Sequence, residues 1–508
     1  MSLGFRRSVT RLPAPRPLQA LLLLAALLLT VSGASLCRAA SLAPRDTDVS
    51  RLIASGRWAV RFRADDHGAL QALRAVYASR DALLWVVDGH PTPAALALLQ
   101  TLQQADAYGL EPQDYDARGL TSLAAGALGT SNETMTARSA DFDVDLSAAA
   151  LKLLCDLHYG RIEPRAAGFD LGTSRVDDLD LARELLALAA SPDIGSRLAA
   201  VEPQFLHYRL LERALSRYRL REASEPAASA KVRKIELTLE RWRWLPAFQT
   251  PPIIVNIPEF RLFAFRTTAD RAADILQMDV IVGRTFPRTR TPVFVADMTS
   301  VIFRPYWDVP RDIALREELP KIRANPAYLA AQHLEIVRGD TDSATPLPPT
   351  PATIEALASG AARLRQRPGP DNALGLIKFD LPNRYDVYLH STPAQQLFAR
   401  QRRAFSHGCI RVSDPVALAA LVLRATPGDW TPARIKAAMN GTQTFRVRLS
   451  RPIKVIILYG TVLAKEDGEV LFFHDLYGQD RRLERLLGLA PPGTQPARLK
   501  AGNLANRD

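Results

Sequence analysis

The sequence predicts an α+β protein: a helical N-terminal domain, then a mainly β domain that holds the chemistry and carries a helical capping insertion. Three observations lead there. From Asp46 to Arg219 apolar residues recur at helical spacing, and from Pro252 onward the period becomes that of strands. Within the second part, His390 is followed after fifteen intervening residues by Ser406-His407-Gly408-Cys409.

At 508 residues the chain has room for two to four domains, and its 47% apolar content is that of a folded protein. The formal charge of +12 is spread along the chain, with no Lys/Arg block beyond the N-terminus. Such a balance suits an anionic partner, a cell wall or membrane surface, and no nucleic-acid-binding module is visible. Three cysteines occur, Cys37, Cys155 and Cys409. Cys37 falls in the targeting region and Cys155 in the apolar run Ala148 to Leu157, so their spacing suggests no disulfide framework.

Residues 1–40 read as a signal peptide or signal anchor: Arg6, Arg7, Arg11 and Arg16 precede the apolar core Leu18 to Val31. The expected location is therefore the periplasm, with anchoring to the inner membrane as the variant. Residues 46–219 form the helical domain. Leu70, Leu73 and Tyr77 repeat at helical spacing, as do Leu96, Leu99 and Leu102. Ala124 to Asp141, small and polar, reads as a loop. Residues 220–250 read as an Ala/Ser/Glu/Pro linker and a lead-in helix over 231–246, whose Trp242 and Trp244 are expected to pack.

Residues 251–450 hold the β domain. Strands are expected at Ile253 to Ile257, Phe260 to Phe265, Ile275 to Gly283, Pro292 to Ala296 and Ser300 to Phe303. Residues 311–367 interrupt it as the capping insertion, with helices over Asp312 to Ala331 and Ile354 to Arg365. Asp414-Pro415 and Thr431-Pro432 each start a helix. Residues 451–490 return to strands, with a hairpin at Asp467-Gly468, and then a short helix. The tail, 491–508, is expected to be disordered.

The residues around Cys409 suit acyl transfer through a thioester. A thiol needs a base or a positive field to become a good nucleophile, and His390 is the candidate general base and proton donor. Ser391, through its carbonyl or its hydroxyl, is the candidate to orient that imidazole. Gly408 allows close backbone approach, and the amides around Gly408 and Cys409 are candidates for an oxyanion hole. A zinc site from His390, His407 and Cys409 is the weaker reading, because a fourth ligand is missing at metal spacing. No cofactor is called for.

The pattern H-x15-S-H-G-C-I-R resembles the signature of YkuD-type L,D-transpeptidases. The runs Gly369 to Gly375, Lys378-Phe379 and Pro382-Asn383 are similar to the YcbB-like branch, as are residues 84–93, 108–115 and 156–164 in the helical domain. The resemblance implies a helical scaffold ahead of an L,D-transpeptidase catalytic domain and cysteine acyl transfer on peptidoglycan stem peptides. It makes Cys409 the nucleophile, His390 the base, His407 and Gly408 pocket residues, and Arg411 a holder of a substrate carboxylate or of the pocket. Tyr388, Tyr306, Trp307 and Arg311 are candidates to line the donor site, and the insertion is expected to act as a lid. Peptidoglycan stem peptides are the expected partners, with other cell-wall enzymes as further candidates. Two departures stand out. Ser391 occupies a position where related sequences often carry Asp, and the small wall-binding module common before the catalytic domain is missing. Two other functions stay open on these residues: a cysteine carboxypeptidase or hydrolase with water as acceptor, and a non-catalytic wall-binding scaffold.

Overall fold

The computed structural model describes residues 68–489 apart from 79, 81, 127–132, 173–177, 223, 247, 249 and 268–273, together with residues 49, 52, 53 and 55. The expected export signal and the C-terminal tail lie outside the described residues. Among these residues no helix is long and apolar enough to cross a membrane. The architecture is α+β, helices first and a mainly β domain after them.

In the helical domain, Ala69–Ala78, Pro93–Gln103, Ala117–Ala125, Leu181–Ala189 and Ile194–Val201 surround the long helix Glu133–Tyr159. Starts are set by side-chain caps. Thr92 accepts from the Ala95 amide ahead of Pro93, Asp180 from the Arg183 amide and Asp193 from the Ser196 amide. The central helix begins at Glu133, so the loop expected through Asp141 is corrected there. Its polar residues face inward to partners: the buried Asp143 carboxylate accepts from the Tyr77 hydroxyl and from the Leu84 and Trp85 amides. Tertiary hydrogen bonds override a composition that reads as loop. From Ala148 to Leu157 the helix is buried on every side, as the middle of a bundle requires.

Two further helices, Leu206–Glu222 and Ala227–Arg243, join the domains, the second starting four residues earlier than the lead-in helix expected over 231–246. Their faces carry buried ions rather than only apolar groups. Glu240 accepts from the Arg161 and Ile162 amides at 2.5 and 2.9 Å, and Arg241 pairs with Asp480 at 2.7 Å. Trp244 packs edge-on against Phe169 and Trp242 against Phe205, the packing role expected of both.

The helical domain also supplies strand β1 (Phe169–Asp170). The β domain follows with β2 (Ile253–Asn256), β3 (Arg261–Ala264), β4 (Leu276–Gly283) and β5 (Val293–Phe303). Just ahead of the insertion lies β6 (Trp307–Asp308), and the insertion contributes β7 (Leu334–Val337), β8 (Pro346–Leu347) and β9 (Arg363–Gln366), the last pairing with β6. The chain then returns with β10 (Ile377–Asp380), β11 (Leu389–His390), β12 (Ala404–Ser406), β13 (Ile410–Val412) and β14 (Phe445–Leu458). The large sheet runs β10-β11-β13-β4-β3-β2-β14-β5-β1, and a further β10–β5 pairing closes it on itself. Closure removes exposed edges, and β1 attaches in parallel to β5 through Phe169↔Val293 and Asp170↔Phe294. The enclosed core includes Val255, Leu262, Val280, Val301, Phe303, Phe379, Leu389, Ile410 and Val455.

The insertion is not purely helical: β8-β7-β9-β6 make a four-stranded sheet over a small core of Ile322, Ile336, Leu357 and Leu364. The expected helix Ile354 to Arg365 stops at Ser359, where Gly360 turns left-handed (φ 87°), and Arg363–Gln366 pairs as a strand. The helix expected through Ala331 breaks after Ala324, ahead of Pro326, and holds a π-helical stretch at Ala314–Glu318. The strands expected at Pro292 to Ala296 and Ser300 to Phe303 are one strand, β5.

Candidate active site

The register of three short strands builds the site. β11 pairs in parallel with β13, placing His390 opposite Arg411, and antiparallel with β10, placing His390 opposite Lys378. Directly opposed residues project to one face. Alternation adds Tyr388 to that face on one strand and brings Cys409, just before β13, alongside it. The Ile410 amide donates to the Tyr388 carbonyl at 3.0 Å, locking this register.

His390 is buried, and its Nδ1 lies 2.6 Å from the Ser391 carbonyl. A carbonyl only accepts, so Nδ1 carries the proton and Nε2 is the basic nitrogen. Burial, and then the charge of Arg411, push the imidazole down to about 3, against the pull of the Ser391 and Leu374 carbonyls. The Ser391 hydroxyl has another task. It accepts from the Leu376 and Ile377 amides and donates to the Leu374 carbonyl, fastening the chain leading into β10. A carboxylate at 391 is thus not needed to set the tautomer.

Cys409 is partly accessible. Its Sγ points to the Asp386 carbonyl at 3.5 Å, and no hydrogen bond joins it to His390. Burial pushes the thiol above its ordinary value, opposed by the Tyr388 amide and hydroxyl and by the Lys378 ammonium. The resting pair is therefore a neutral thiol and a neutral imidazole. Asp386 sits at φ 51°, a left-handed conformation that aims its carbonyl at the sulfur.

Gly408 has φ 129°, a region that side chains avoid, whereas the space where a Cβ would sit is open beyond 3.7 Å. Its amide donates to the Ser406 hydroxyl at 3.1 Å, and that hydroxyl donates to the Cys409 carbonyl at 2.6 Å. The Gly408 amide is thus already engaged and drops out as an oxyanion donor; the Cys409 amide is taken by no hydrogen bond among the described residues. His407 does not turn to the sulfur either. Its Nε2 meets Glu317 of the insertion at 2.8 Å, which removes it both from a pocket beside Cys409 and from the alternative zinc set.

Arg411 is largely buried beside Cys409 and His390, and its Nε has no hydrogen-bond partner. Tyr388 lies under the Lys378 ammonium at 4.1 Å and packs edge-on against His390, with the Trp307 side chain acting on its hydroxyl. Tyr306, just ahead of the insertion, stacks under its Arg365 at 4.3 Å. Arg311 is a correction, since its guanidinium caps the Ala358 and Ser359 carbonyls. In the sequence Lys378 carries only the resemblance; the β10–β11 register shows it as a cation over Tyr388.

A family model described as the L,D-transpeptidase catalytic domain matches residues 251–435, and one described as the scaffold domain matches residues 71–215. A Haemophilus influenzae protein named "Putative L,D-transpeptidase" is 31% identical over 252 residues, 50% of this chain and 49% of that protein. The chain thus spans about half the length of the curated relative it matches.

Proposed function

Because this chain carries the catalytic domain of the L,D-transpeptidase (YkuD) family at residues 251–435, we propose that it is an exported enzyme that cross-links peptidoglycan stem peptides through a Cys409 thioester. The observation that carries this reading is the commitment of His390 Nδ1 to the Ser391 carbonyl, which leaves Nε2 basic on the face shared with Arg411 and the thiol strand.

Rotation of the Cys409 side chain away from the Asp386 carbonyl hands its proton to His390 Nε2 as the sulfur attacks the carbonyl of the donor's third residue. Resting-state contacts of this kind are commonly loose and tighten only with substrate bound. The S–C bond forms, the C–N bond to the terminal D-Ala breaks, and the imidazolium returns its proton to the leaving amine. The unspent Cys409 amide serves the oxyanion, and Arg411 supplies a cation for a stem carboxylate. An acceptor amine then attacks the thioester, giving a proton to His390, and the thiol is regenerated. The insertion, joined to the motif through His407–Glu317, limits water at the thioester and favours transfer over hydrolysis.

The test is product analysis on a purified tetrapeptide muropeptide. Cross-linked dimers with release of D-Ala are expected; trimmed monomers alone make the protein a carboxypeptidase. Covalent labelling of Cys409 by a carbapenem, read by mass spectrometry, separates a live site from a wall-binding scaffold.

A further inference from the structure

The turn that faces the sulfur is held from the other domain. Residues Asn383 to Tyr388 carry both the Asp386 carbonyl that accepts from Cys409 and the Tyr388 side chain that covers it. Inside the turn, the Asn383 side chain accepts from the Tyr385 amide at 2.9 Å and donates to the Val387 carbonyl at 2.7 Å. Outside it, Tyr385 is clamped. Its ring packs against Phe294 of β5 at 5.3 Å, and its hydroxyl donates to Asp170 at 3.1 Å. Asp170 ends β1, the strand that the helical domain adds to the catalytic sheet, and its Cα pairs with that of Phe294. Arg384 also meets Asp170 at 3.0 Å, but this pair is largely exposed on the arginine side and contributes little.

We infer that Asp170 is a positioning residue contributed by the helical domain, acting through the Tyr385 hydroxyl to hold the Asn383–Tyr388 turn against Cys409. The inference rests on the reading of Cys409 as nucleophile. Without the tether the turn relaxes outward, water reaches the sulfur, and the geometry that presents it to substrate is lost. The two consequences go in opposite directions: a more reactive thiol toward small reagents and a slower enzyme.

The experiment compares the full chain with Asp170→Ala, Tyr385→Phe and Asp170→Asn. The pH profile of iodoacetamide alkylation is read on the Cys409 peptide by mass spectrometry, beside kcat and KM on tetrapeptide muropeptide. Asp170→Ala and Tyr385→Phe are expected to shift the alkylation midpoint down and to raise the rate at pH 7 by about fivefold. Both should lower kcat about tenfold with KM within about twofold. Asp170→Asn keeps an acceptor oxygen for Tyr385 and should follow the intact protein. Alkylation profiles of Asp170→Ala and Tyr385→Phe that superimpose on that of the intact protein overturn the inference. Tyr385→Phe keeps the ring on Phe294, so its profile decides if Asp170→Ala fails to fold. An intact protein that alkylates but makes no product overturns the functional reading instead, and the profile comparison still decides this one.

Discussion

At the scale of single residues, the site rests on two groups kept neutral. His390 is held down to about 3 and the Cys409 thiol is held up, both chiefly by burial. Throughout the range from pH 4 to 8 the base is available and the sulfur is protonated. Alkylation of Cys409 should therefore climb about tenfold per pH unit across that range, as thiolate fraction does. A plateau between pH 5 and 7 would reveal a resting thiolate–imidazolium pair and contradict this arrangement. His390→Gln, which keeps a polar side chain but no base, should lower kcat by about 10²–10⁴. A Gly408→Ala chain carries a left-handed strain of about 1–3 kcal/mol, read as a lower melting temperature.

Elements, rather than residues, decide what was legible in advance. That Cys409 and His390 come to one face of neighbouring strands could be read, because His390 ends one strand, Cys409 directly precedes the next, and the spacing between them is characteristic. The role of His407 could not, because its partner, Glu317, lies ninety residues earlier in a helical stretch of the insertion. The oxyanion assignment to Gly408 failed for a local reason: Ser406, inside the same motif, takes its amide. The sheet in the insertion was hidden because β9, Arg-Leu-Arg-Gln, alternates charge with one leucine and reads as the continuation of a helix. In β14 the first half carries Arg446 and Arg448 outward, and a register shift between Arg448 and Ile453 breaks the alternation. The contact between His407 and Glu317 makes its own prediction. Glu317→Ala frees the insertion at that point, so the ratio of hydrolysed to cross-linked product should rise with kcat nearly unchanged. An unchanged ratio would leave the contact without a role in excluding water.

Across the whole molecule, the helical and β domains are joined by buried charge as much as by apolar surface. Arg241 of the second linking helix pairs with Asp480 of the C-terminal part at 2.7 Å, both side chains buried, while on the helical side Arg243 is fully buried, donating to the Tyr208 hydroxyl and the Tyr108 carbonyl and pairing with Glu240. Truncating Asp480 to Ala leaves the Arg241 guanidinium buried without its carboxylate, at about 3–5 kcal/mol. Both domains should then melt earlier and together, whereas a shift confined to one of two transitions would contradict a shared interface. Nearby, burial and the Glu202 carboxylate push Glu212 up to about 8. A carboxyl raised in the folded state binds its proton more tightly there than when unfolded, so stability falls as pH rises from the ordinary carboxylate range to 8. His207, held at about 4, and His390 are neutral in the folded state, and their unfolded imidazoles have shed nearly all their protons by about pH 7.5, so above that they add almost no slope. The melting temperature should therefore decline between about pH 7.5 and 8, with Glu212→Gln reducing that decline; an equal decline in the variant would exclude Glu212 as its source. This coupling was beyond sequence reading, since Glu202, Glu212 and Arg243 look like ordinary charges on helix surfaces.

In the proposed mechanism Cys409 takes the donor peptide as a thioester and passes it to an amine. This transfer is tested most directly by incubating purified tetrapeptide muropeptide with the intact protein and with Cys409→Ala. Dimers and released D-Ala from the intact protein, with neither from the variant, are the predicted result. Dimers formed equally by Cys409→Ala, or none from the intact protein, would contradict the account.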